Sequence, residues 1–417
     1  MMKQTGDCDG AKLGMKATLR TGSFAALGLL ISWAAVALGQ NTITAVAGGG
    51  PTVAAANGTC CFGGDGGPAT SAELSFPDGV FLDAAGDIFI ADYSNNRVRE
   101  VVASTGNIKT VAGNGTAGFS GDGGPATSAE LSGPSGVFVD SAGDTFIADT
   151  GNSRIREVVA STGNIKSVAG NGSAGFSGDG GPATSAELSR PSGVFVDSAG
   201  NIFIAEIGIP LGDSLSLQAK LINTRIREVV ASTGNVKTVA GNGTSAFRGD
   251  GGLATSAELS EPVGVFVDAA GNIFIADCRD NRVREVVAST GGIKTIAGNG
   301  TRGFSGDGGP AAGAELYEPD GVFMDAAGNI FIAETGDNRV REVVASTGNI
   351  QTVAGNGDGE FSGDGGLATS AALNDPESVF VDAAGNIFIA DAGNNRVREV
   401  VAATGKIQTI AGNGAWE

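Results

Sequence analysis

Apolar residues along the chain fall into short runs separated by turns that contain glycine. Val137–Val139 and Thr145–Ala148 are apolar on both faces and flank the turn Asp140–Asp144, which predicts a hairpin of two buried strands. Arg154–Val159 mixes apolar and charged positions, as a half-exposed strand does, and Ile165–Ala169 follows after another turn. The pattern therefore predicts a unit of four short antiparallel strands, two inner and two outer.

This unit occurs six times. The Ala-Gly-Asn-Gly phrase that ends a unit recurs with a period of 57 residues, as from Gly113 to Gly170 (170 − 113 = 57). The third unit is longer, because Gly170 to Gly241 spans 71 residues, and its 14 extra residues fall between Glu206 and Asn223. One such unit cannot bury its apolar faces without its neighbours, so the six must form one body. The phrase that opens each unit begins at Gly79, Gly136, Gly193, Gly264, Gly321 and Ser378.

The connectors between units are long and rich in glycine. In the connector Ala174–Ser189, Pro182 is placed to begin a short helical turn that carries Leu188 inward. We therefore expect an all-β fold, a six-bladed β-propeller of four-stranded antiparallel blades with long Gly-rich inter-blade connectors. Thr44–Gly48 is a seventh copy of the outermost strand. Either it closes the ring against the last blade, or the chain is one part of a longer array.

The N-terminus predicts a signal peptide over residues 1–39, followed by a single propeller domain over residues 40–417. Basic residues precede the apolar run Phe24–Leu38, and small residues before Gln40 suit cleavage. Translation from Met15 would give a leader of ordinary length. An uncleaved anchor is the alternative, but the run has about 15 residues, short of the ~20 that span a bilayer. We expect a secreted or periplasmic protein with no membrane insertion after the leader is removed.

Charge and composition remove several functional classes. The net charge is −19, whereas nucleic-acid binding needs a basic face, so we expect no nucleic-acid partner. The chain has no histidine, which removes His-ligated zinc and any Ser-His or Cys-His nucleophile. Outside the predicted leader, Cys60, Cys61 and Cys278 remain. A vicinal Cys60–Cys61 bridge and free thiols both stay open.

An acidic residue closes the second strand of every unit, and an arginine opens the third. We expect structural ion pairs across this hairpin, because both partners persist in the third unit despite the insertion between them. The alternative is a ring of carboxylates that holds a cation. A second repeated acid, Asp122 of the Gly-Asp-Gly-Gly phrase, is expected to belong to a turn rather than to a calcium loop. The predicted pairs include Asp149 with Arg154, Glu206 with Arg225, and Asp391 with Arg396.

Differences between the units point to a candidate ligand site. The residue after the proline of each first strand should enter the channel mouth, and it is acidic in three units that adjoin in a closed ring. The loops after the second strands lie on the same face, and the insertion of the third unit projects from it. The alternative is drift at unconstrained surface positions. The candidate ligand-binding residues are Asp78, Tyr93, Arg279, Asp320 and Glu377, with Ile209 and Leu211 in the insertion.

The repeated residues resemble the NHL repeat family, in its bacterial secreted form. The pattern runs through Pro134–Val137, Asp140, Gly143, Phe146–Asp149 and Asn152–Arg154, and the resemblance covers residues 41–417. It implies a six-bladed β-propeller with a central channel but no single activity. Its relatives include sensor domains, adhesion modules, RNA-binding propellers, an amidating lyase and lactonase-like enzymes. The lyases depend on histidine, which this chain lacks.

The function that we expect is a secreted, non-enzymatic scaffold that binds a protein, peptide or glycan through its loop face and channel mouth. We expect no catalytic residue, no metal and no cofactor. The alternative is a calcium-dependent hydrolase resembling the gluconolactonase group, in which Asp78, Asp320 and Glu377 would supply carboxylates to an ion acting as a Lewis acid.

Overall fold

The computed structural model describes residues 62–210 and 221–415, which form six four-stranded sheets and one small hairpin. Each sheet is one blade, and its strands pair antiparallel with their neighbours in chain order. Blade 1 contains β1 (Pro77–Leu82), β2 (Ile88–Asp92), β3 (Arg97–Val102) and β4 (Asn107–Ala112), and blade 2 contains β5 (Pro134–Val139), β6 (Thr145–Asp149), β7 (Arg154–Val159) and β8 (Asn164–Ala169). Blade 3 contains β9 (Pro191–Val196), β10 (Ile202–Glu206), β13 (Arg225–Val230) and β14 (Asn235–Ala240), with the added hairpin β11 (Ile209–Pro210) and β12 (Leu221–Ile222), and blade 4 contains β15 (Pro262–Val267), β16 (Ile273–Asp277), β17 (Arg282–Val287) and β18 (Gly292–Ala297). Blade 5 contains β19 (Pro319–Met324), β20 (Ile330–Glu334), β21 (Arg339–Val344) and β22 (Asn349–Ala354), and blade 6 contains β23 (Pro376–Val381), β24 (Ile387–Asp391), β25 (Arg396–Val401) and β26 (Lys406–Ala411).

The predicted fold class and the predicted strands are confirmed. The connector turn is also present: Ala183–Ser185 forms one turn of 3-10 helix directly after Pro182, and Leu188 is fully buried behind it. Four of the six blades contain a second short turn of this kind after the second strand, such as Thr150–Asn152, and blade 1 has a simple turn there. In blade 3 the hairpin β11–β12 takes its place.

The apolar core lies between blades rather than within them. Each buried cluster combines residues of two adjacent blades, for example Phe146 and Ala148 of blade 2 with Val194 and Ile204 of blade 3. Burial of these side chains holds the blades face to face. The cluster that joins blade 6 to blade 1 is built in the same way, so the ring is closed.

Backbone hydrogen bonds close the ring with the contacts used at every other junction. Gly412 N donates to the oxygen of Ala69, as Gly113 N donates to the oxygen of Ala126 one junction further. The Asn395 side chain accepts a hydrogen bond from Phe76 N across the junction of blades 6 and 1 (2.8 Å). Ring closure within the described residues thus needs no strand exchange. The seventh copy Thr44–Gly48, which could have closed the ring, lies outside them.

The first strands approach one another closely around the propeller axis, because most of them carry glycine at the third position. A Cβ atom placed on Gly136 would lie on the carbonyl oxygen of Ser192 in the next blade. The same close approach occurs at Gly79, Gly193 and Gly264. It is looser at Gly321, whose added Cβ would lie 2.9 Å from the oxygen of Glu377, beside the blade in which Ser378 replaces the glycine.

Each blade has one fully buried arginine in its third strand. Arg156 is fully buried, and its guanidinium contacts Asp149 at the end of β6 (3.2 Å) and Asp122 in the connector (2.7 Å). A guanidinium removed from water requires such partners, because its desolvation costs several kcal/mol. Asp122 also accepts a hydrogen bond from Ser167 N (3.1 Å), so this arginine clamp ties the connector to the sheet. The equivalent arginines are Arg99, Arg227, Arg284, Arg341 and Arg398.

The arginine clamp corrects the ion pairs predicted from the hairpin. Arg154 lies opposite Asp149 in the strand register, but its guanidinium donates to the backbone oxygens of Asn152 and Asn171 and lies over the ring of Phe119. Arg154 stands at the strand end, where turn carbonyls and solvent are within reach. The Asp149 carboxylate is 0% exposed, and the cation that meets it there is the clamp arginine. Asp149, Glu206 and Asp391 therefore pair with Arg156, Arg227 and Arg398 instead of Arg154, Arg225 and Arg396.

Candidate functional site

A central channel follows the propeller axis and is lined by the first strands of all six blades. It contains about 660 Å³ of empty space, including its open mouth. Six phenylalanines form a closed ring across it, with neighbouring ring centroids 4.5–5.1 Å apart. Edge and tilted contacts of this kind stabilise aromatic clusters. The members of this phenylalanine ring are Phe81, Phe138, Phe195, Phe266, Phe323 and Phe380.

The channel mouth differs from blade to blade. Its six positions lie three residues before each member of the phenylalanine ring. Blades 5, 6 and 1 present carboxyl groups, blades 2 and 3 present serine hydroxyls, and blade 4 presents a valine. The acidic side is therefore continuous, as the sequence predicted. The mouth residues are Asp78, Ser135, Ser192, Val263, Asp320 and Glu377.

Asp320 is the centre of the acidic side. It is 8% exposed and accepts a hydrogen bond from the Thr335 hydroxyl (2.5 Å). The Cys278 thiol and the Glu377 carboxyl are hydrogen-bonded to the same group. Burial raises the pKa of Asp320 to about 6, even though these hydrogen bonds favour the ionised form. Burial also raises the pKa of Cys278 well above its usual value, so this residue is a thiol that donates to Asp320.

The other two acids hold protons more tightly. Burial, followed by the nearby charges of Asp320 and Asp78, raises the pKa of Glu377 well above its usual value. Burial, followed by the charge of Asp320, raises the pKa of Asp78 to about 7. None of the leading causes of the three pKa shifts is an arginine or a lysine. The three carboxyls thus influence one another's ionisation, and we call them the acidic triad (Asp78, Asp320 and Glu377).

The remaining predicted ligand-binding residues do not line the channel in the part of the chain that the structure describes. Tyr93 meets Phe76 edge-on (centroids 6.2 Å apart) and packs against Gly133, where an added Cβ would lie 3.0 Å from its ring. Arg279 forms an ion pair with Glu261. Ile209 belongs to the hairpin β11–β12, opposite Ile222. Leu211 lies outside the described residues.

Sequence analysis missed two partners of the acidic triad, Thr335 and Cys278. Both occupy the first position after a second strand, and in blade 5 that position approaches the mouth residue of its own blade. In blade 2 the hydroxyls of Ser135 and Thr150 are 2.5 Å apart in the same way. Cys278 also reaches Asp320 of the following blade. The sequence does show that the residue at this position differs between blades. Which mouth residue it contacts depends on distances between blades, and the sequence does not contain those distances.

Two further observations concern metal ligands and membrane spans in the described residues. No three histidine, cysteine or acidic side chains between residues 62 and 415, the gap at 211–220 aside, are arranged to hold a metal ion. Calcium binding requires six to eight oxygen ligands. The same part of the chain contains no helix whose length and apolar character would let it cross a membrane.

Comparison with known sequences identifies distant relatives, while no family profile matches the chain. Protein SUPPRESSOR OF QUENCHING 1, chloroplastic, of Arabidopsis thaliana is 26% identical over 300 residues, which is 67% of this chain and 27% of that protein. NHL repeat-containing protein 2 of Homo sapiens is 25% identical over 345 residues, 78% of this chain and 46% of that protein. Teneurin-4 of Mus musculus is 28% identical over 294 residues, which is 62% of this chain and 10% of that protein. The chain spans less than half the length of these curated relatives.

Solved structures share the fold. A protein of unknown function from Bacteroides thetaiotaomicron aligns with a TM-score of 0.57 at 16% identity, covering 82% of this chain and 73% of that one. An auxiliary nutrient binding protein from the same species aligns with a TM-score of 0.55 at 13% identity, covering 81% of this chain and 69% of that one. At these identities the likeness concerns the fold alone.

Proposed function

The chain belongs to the NHL-repeat propeller family, and we propose that it is a secreted, non-enzymatic scaffold that binds a protein, peptide or glycan at its channel mouth. The acidic triad carries this proposal. Asp320 is buried and Asp78 and Glu377 are half-buried on the adjacent blades, and none of the leading causes of their pKa shifts is an arginine or a lysine. Burying acids in this way destabilises the fold, so we attribute it to binding.

The surrounding architecture supports the same role. The repeated acids are matched by clamp arginines, whereas the acidic triad occurs at positions that differ between blades. A concave site with a few convergent polar groups is typical of ligand-binding pockets. Two fold neighbours bear the name of nutrient-binding proteins. We extend binding, but no nutrient, to this chain.

A comparison of binding by matched variants tests the proposal. The protein and the double variant Asp320→Asn, Glu377→Gln are applied to a glycan array and a displayed peptide library. We expect ligands that the double variant loses and that Ala142→Lys retains, because Ala142 is exposed in the turn between β5 and β6. Equal retention of every ligand by the double variant would refute binding at the mouth.

The calcium-dependent lactonase remains the rival function. Repeating the binding measurements and a thermal melt in calcium and in EDTA distinguishes the two, because a specific ligand of the folded state raises the melting temperature by mass action. A large calcium-dependent shift that disappears in Asp320→Asn, Glu377→Gln would favour the hydrolase over the scaffold.

A further inference from the structure

The acid that ends the second strand is held by an amide side chain in three blades. In blade 2 the Asn152 side chain donates hydrogen bonds to both carboxylate oxygens of Asp149 (2.9 and 2.8 Å). Asn95 and Asn394 donate to the corresponding acids of blades 1 and 6. A buried carboxylate needs such a donor, because the donor replaces the water that burial removes. An amide at this position of the turn therefore belongs to the common form of the repeat.

Blade 4 has a carboxyl where these blades have the amide. Its turn Cys278–Asp280 has the same backbone form as Thr150–Asn152, since each is followed by a residue in the left-handed conformation, with φ 49° and 51°. Asp280 thus occupies the position that Asn152 occupies in blade 2. Its carboxyl is hydrogen-bonded to that of Asp277, which is 0% exposed. Two carboxylates repel each other at this distance, so the pair must hold a proton to make the bond.

Nearby charges do not replace that proton. Arg284 of β17 contacts Asp277 (3.1 Å) and Asp250 of the connector (2.7 Å), so its charge is shared between two other carboxylates. The Oδ2 atom of Asp280 is buried and has no hydrogen-bond partner among the described residues. Ionisation of Asp280 would leave a negative charge there without a donor, which costs free energy. The charged groups that face the pair are Arg282 and Arg284 of β17 and Asp250 and Glu258 of the connector.

The same turn holds two side chains on the mouth face of the propeller. Cys278 is 7% exposed, and its thiol is hydrogen-bonded to Asp320 of the next blade. Arg279 forms an ion pair with Glu261, which directly precedes the first strand of blade 4. Opening of the turn would break both contacts. A change in the charge of Asp280 is therefore transmitted to the edge of the channel mouth.

We propose that the Asp277–Asp280 pair is a pH-sensitive latch, which keeps the blade 4 turn closed while the two carboxyls share a proton and opens it when that proton is lost to solvent. Without the proton, two negative charges lie within hydrogen-bonding distance in a buried site, and their repulsion favours the open turn. This inference goes beyond the proposed function, since it concerns the fold beside the mouth and holds for any ligand.

The sign of the pH dependence follows from burial. Burial raises the pKa of Asp280 from 3.8 to about 6, and burial together with the charge of Asp280 raises the pKa of Asp277 well above its usual value. In the open turn both carboxyls meet water and ionise near their usual values. The closed turn therefore keeps its full stability below about pH 4 and loses stability as the pH rises through about 6.

Labelling of Cys278 with 4,4′-dithiodipyridine measures the opening, because this thiol is buried in the closed turn. The full chain is labelled at pH 4.5 and at pH 7.5, and mass spectrometry identifies the modified cysteine. Asp280→Asn gives blade 4 the amide of blades 1, 2 and 6 and keeps the same thiol. We expect the labelling rate of the unmodified protein, divided by that of Asp280→Asn, to rise at least tenfold between the two pH values, since one pKa unit corresponds to a factor of ten.

The reverse substitution in blade 2 provides an independent test. Thr150→Cys places a thiol at the position that Cys278 has in blade 4, and Asn152→Asp then pairs a second carboxyl with Asp149. We expect the added Asn152→Asp to make labelling of the introduced thiol at least tenfold more dependent on pH. Asp358→Asn, at an exposed connector position, should leave the labelling of Cys278 unchanged. A rate ratio in blade 4 that is the same at both pH values, or an unchanged pH dependence after Asn152→Asp, overturns the latch.

Discussion

The arginine clamp makes a quantitative prediction, because one blade contains two arginines on the same strand and only one of them meets the acid. Asp149 accepts hydrogen bonds from Ser132 N (2.8 Å), Asn152 and Arg156 (3.2 Å) inside a fully buried site. Asp149→Ala leaves a buried guanidinium with one remaining carboxylate and two unsatisfied donors. We expect a loss of about 3–5 kcal/mol in the free energy of unfolding. Arg156→Ala should lower the free energy of unfolding by a similar amount, since it leaves the Asp149 carboxylate, which is 0% exposed, without its arginine partner.

Arg154 is the matched control. Its removal breaks two hydrogen bonds to backbone oxygens near solvent and one contact with the ring of Phe119. We expect Arg154→Ala to cost about 1 kcal/mol. In double-mutant cycles, Asp149 should couple to Arg156 by about 2–3 kcal/mol, and to Arg154 by less than about 0.5 kcal/mol.

Urea unfolding followed by circular dichroism measures all of these variants. The slopes of the unfolding free energy against urea should agree, so that midpoint shifts report stability. A coupling of Asp149 to Arg154 that equals or exceeds its coupling to Arg156 would refute the clamp. It would restore the hairpin pair that the sequence predicted.

Three other perturbations test the mouth, the channel and the ring closure. Burial raises the folded pKa of Asp78 from 3.8 to about 7, so ionisation of this carboxyl destabilises the fold as the pH rises from about 4 to 7. Asp78→Asn should therefore increase the free energy of unfolding at pH 8 by at most about 4 kcal/mol, which a thermal melt would show as a higher melting temperature. At pH 3 the variant and the unmodified protein should have the same stability. Phe138→Ala should cost about 2–3 kcal/mol in urea unfolding and widen the channel enough for benzene to give chemical-shift changes in NMR spectra; an unchanged stability would contradict a closed phenylalanine ring. Asn395→Ala and Asn338→Ala should each lower the free energy of unfolding by about 1 kcal/mol, because each removes a hydrogen bond to the next blade. If only Asn338→Ala lowers it, the ring is open between blades 6 and 1.

The sixfold repeat explains why the fold could be predicted from the sequence. Each strand, turn and connector appears six times, so accidental features cancel and the common pattern remains. The apolar runs Val137–Val139 and Thr145–Ala148 became β5 and β6 with boundaries displaced by only a few residues. A short helical turn follows Pro182 as predicted, but Pro182 is its N-cap and Ala183 its first residue.

The phenylalanine ring could not be predicted, because strand parity misleads at the start of each first strand. Asp78 and Phe81 are an odd number of residues apart, which in a regular strand would place their side chains on opposite faces. The pairing of β1 with β2 is irregular between Pro77 and Val80. That irregularity adds one residue and brings both side chains to the channel. A period-two pattern cannot reveal such a break.

The partner of each strand-ending acid was missed for a different reason. Asp149 faces Arg154 in the register and Arg156 on the diagonal, and both arginines lie within reach of its carboxylate. The choice depends on depth: the interior offers Arg156 no other anions than Asp149 and Asp122, while the strand end offers Arg154 carbonyl oxygens. Depth is set by the connector that covers the blade, and the hairpin sequence alone does not contain it.

The contrast between the two sets of acids supports locating function at the mouth. The acids at the ends of the second strands are fully buried, and each meets a clamp arginine, so their burial is compensated within the fold. The acidic triad replaces Ser135 and Ser192 of other blades, which shows that the architecture is built equally well without carboxyls at these positions. Three uncompensated acids on adjacent blades therefore serve no structural need that the repeat reveals. We therefore expect a ligand to contact this side of the mouth, and the half-buried Asp78 and Glu377 are the positions at which that contact should be sought first.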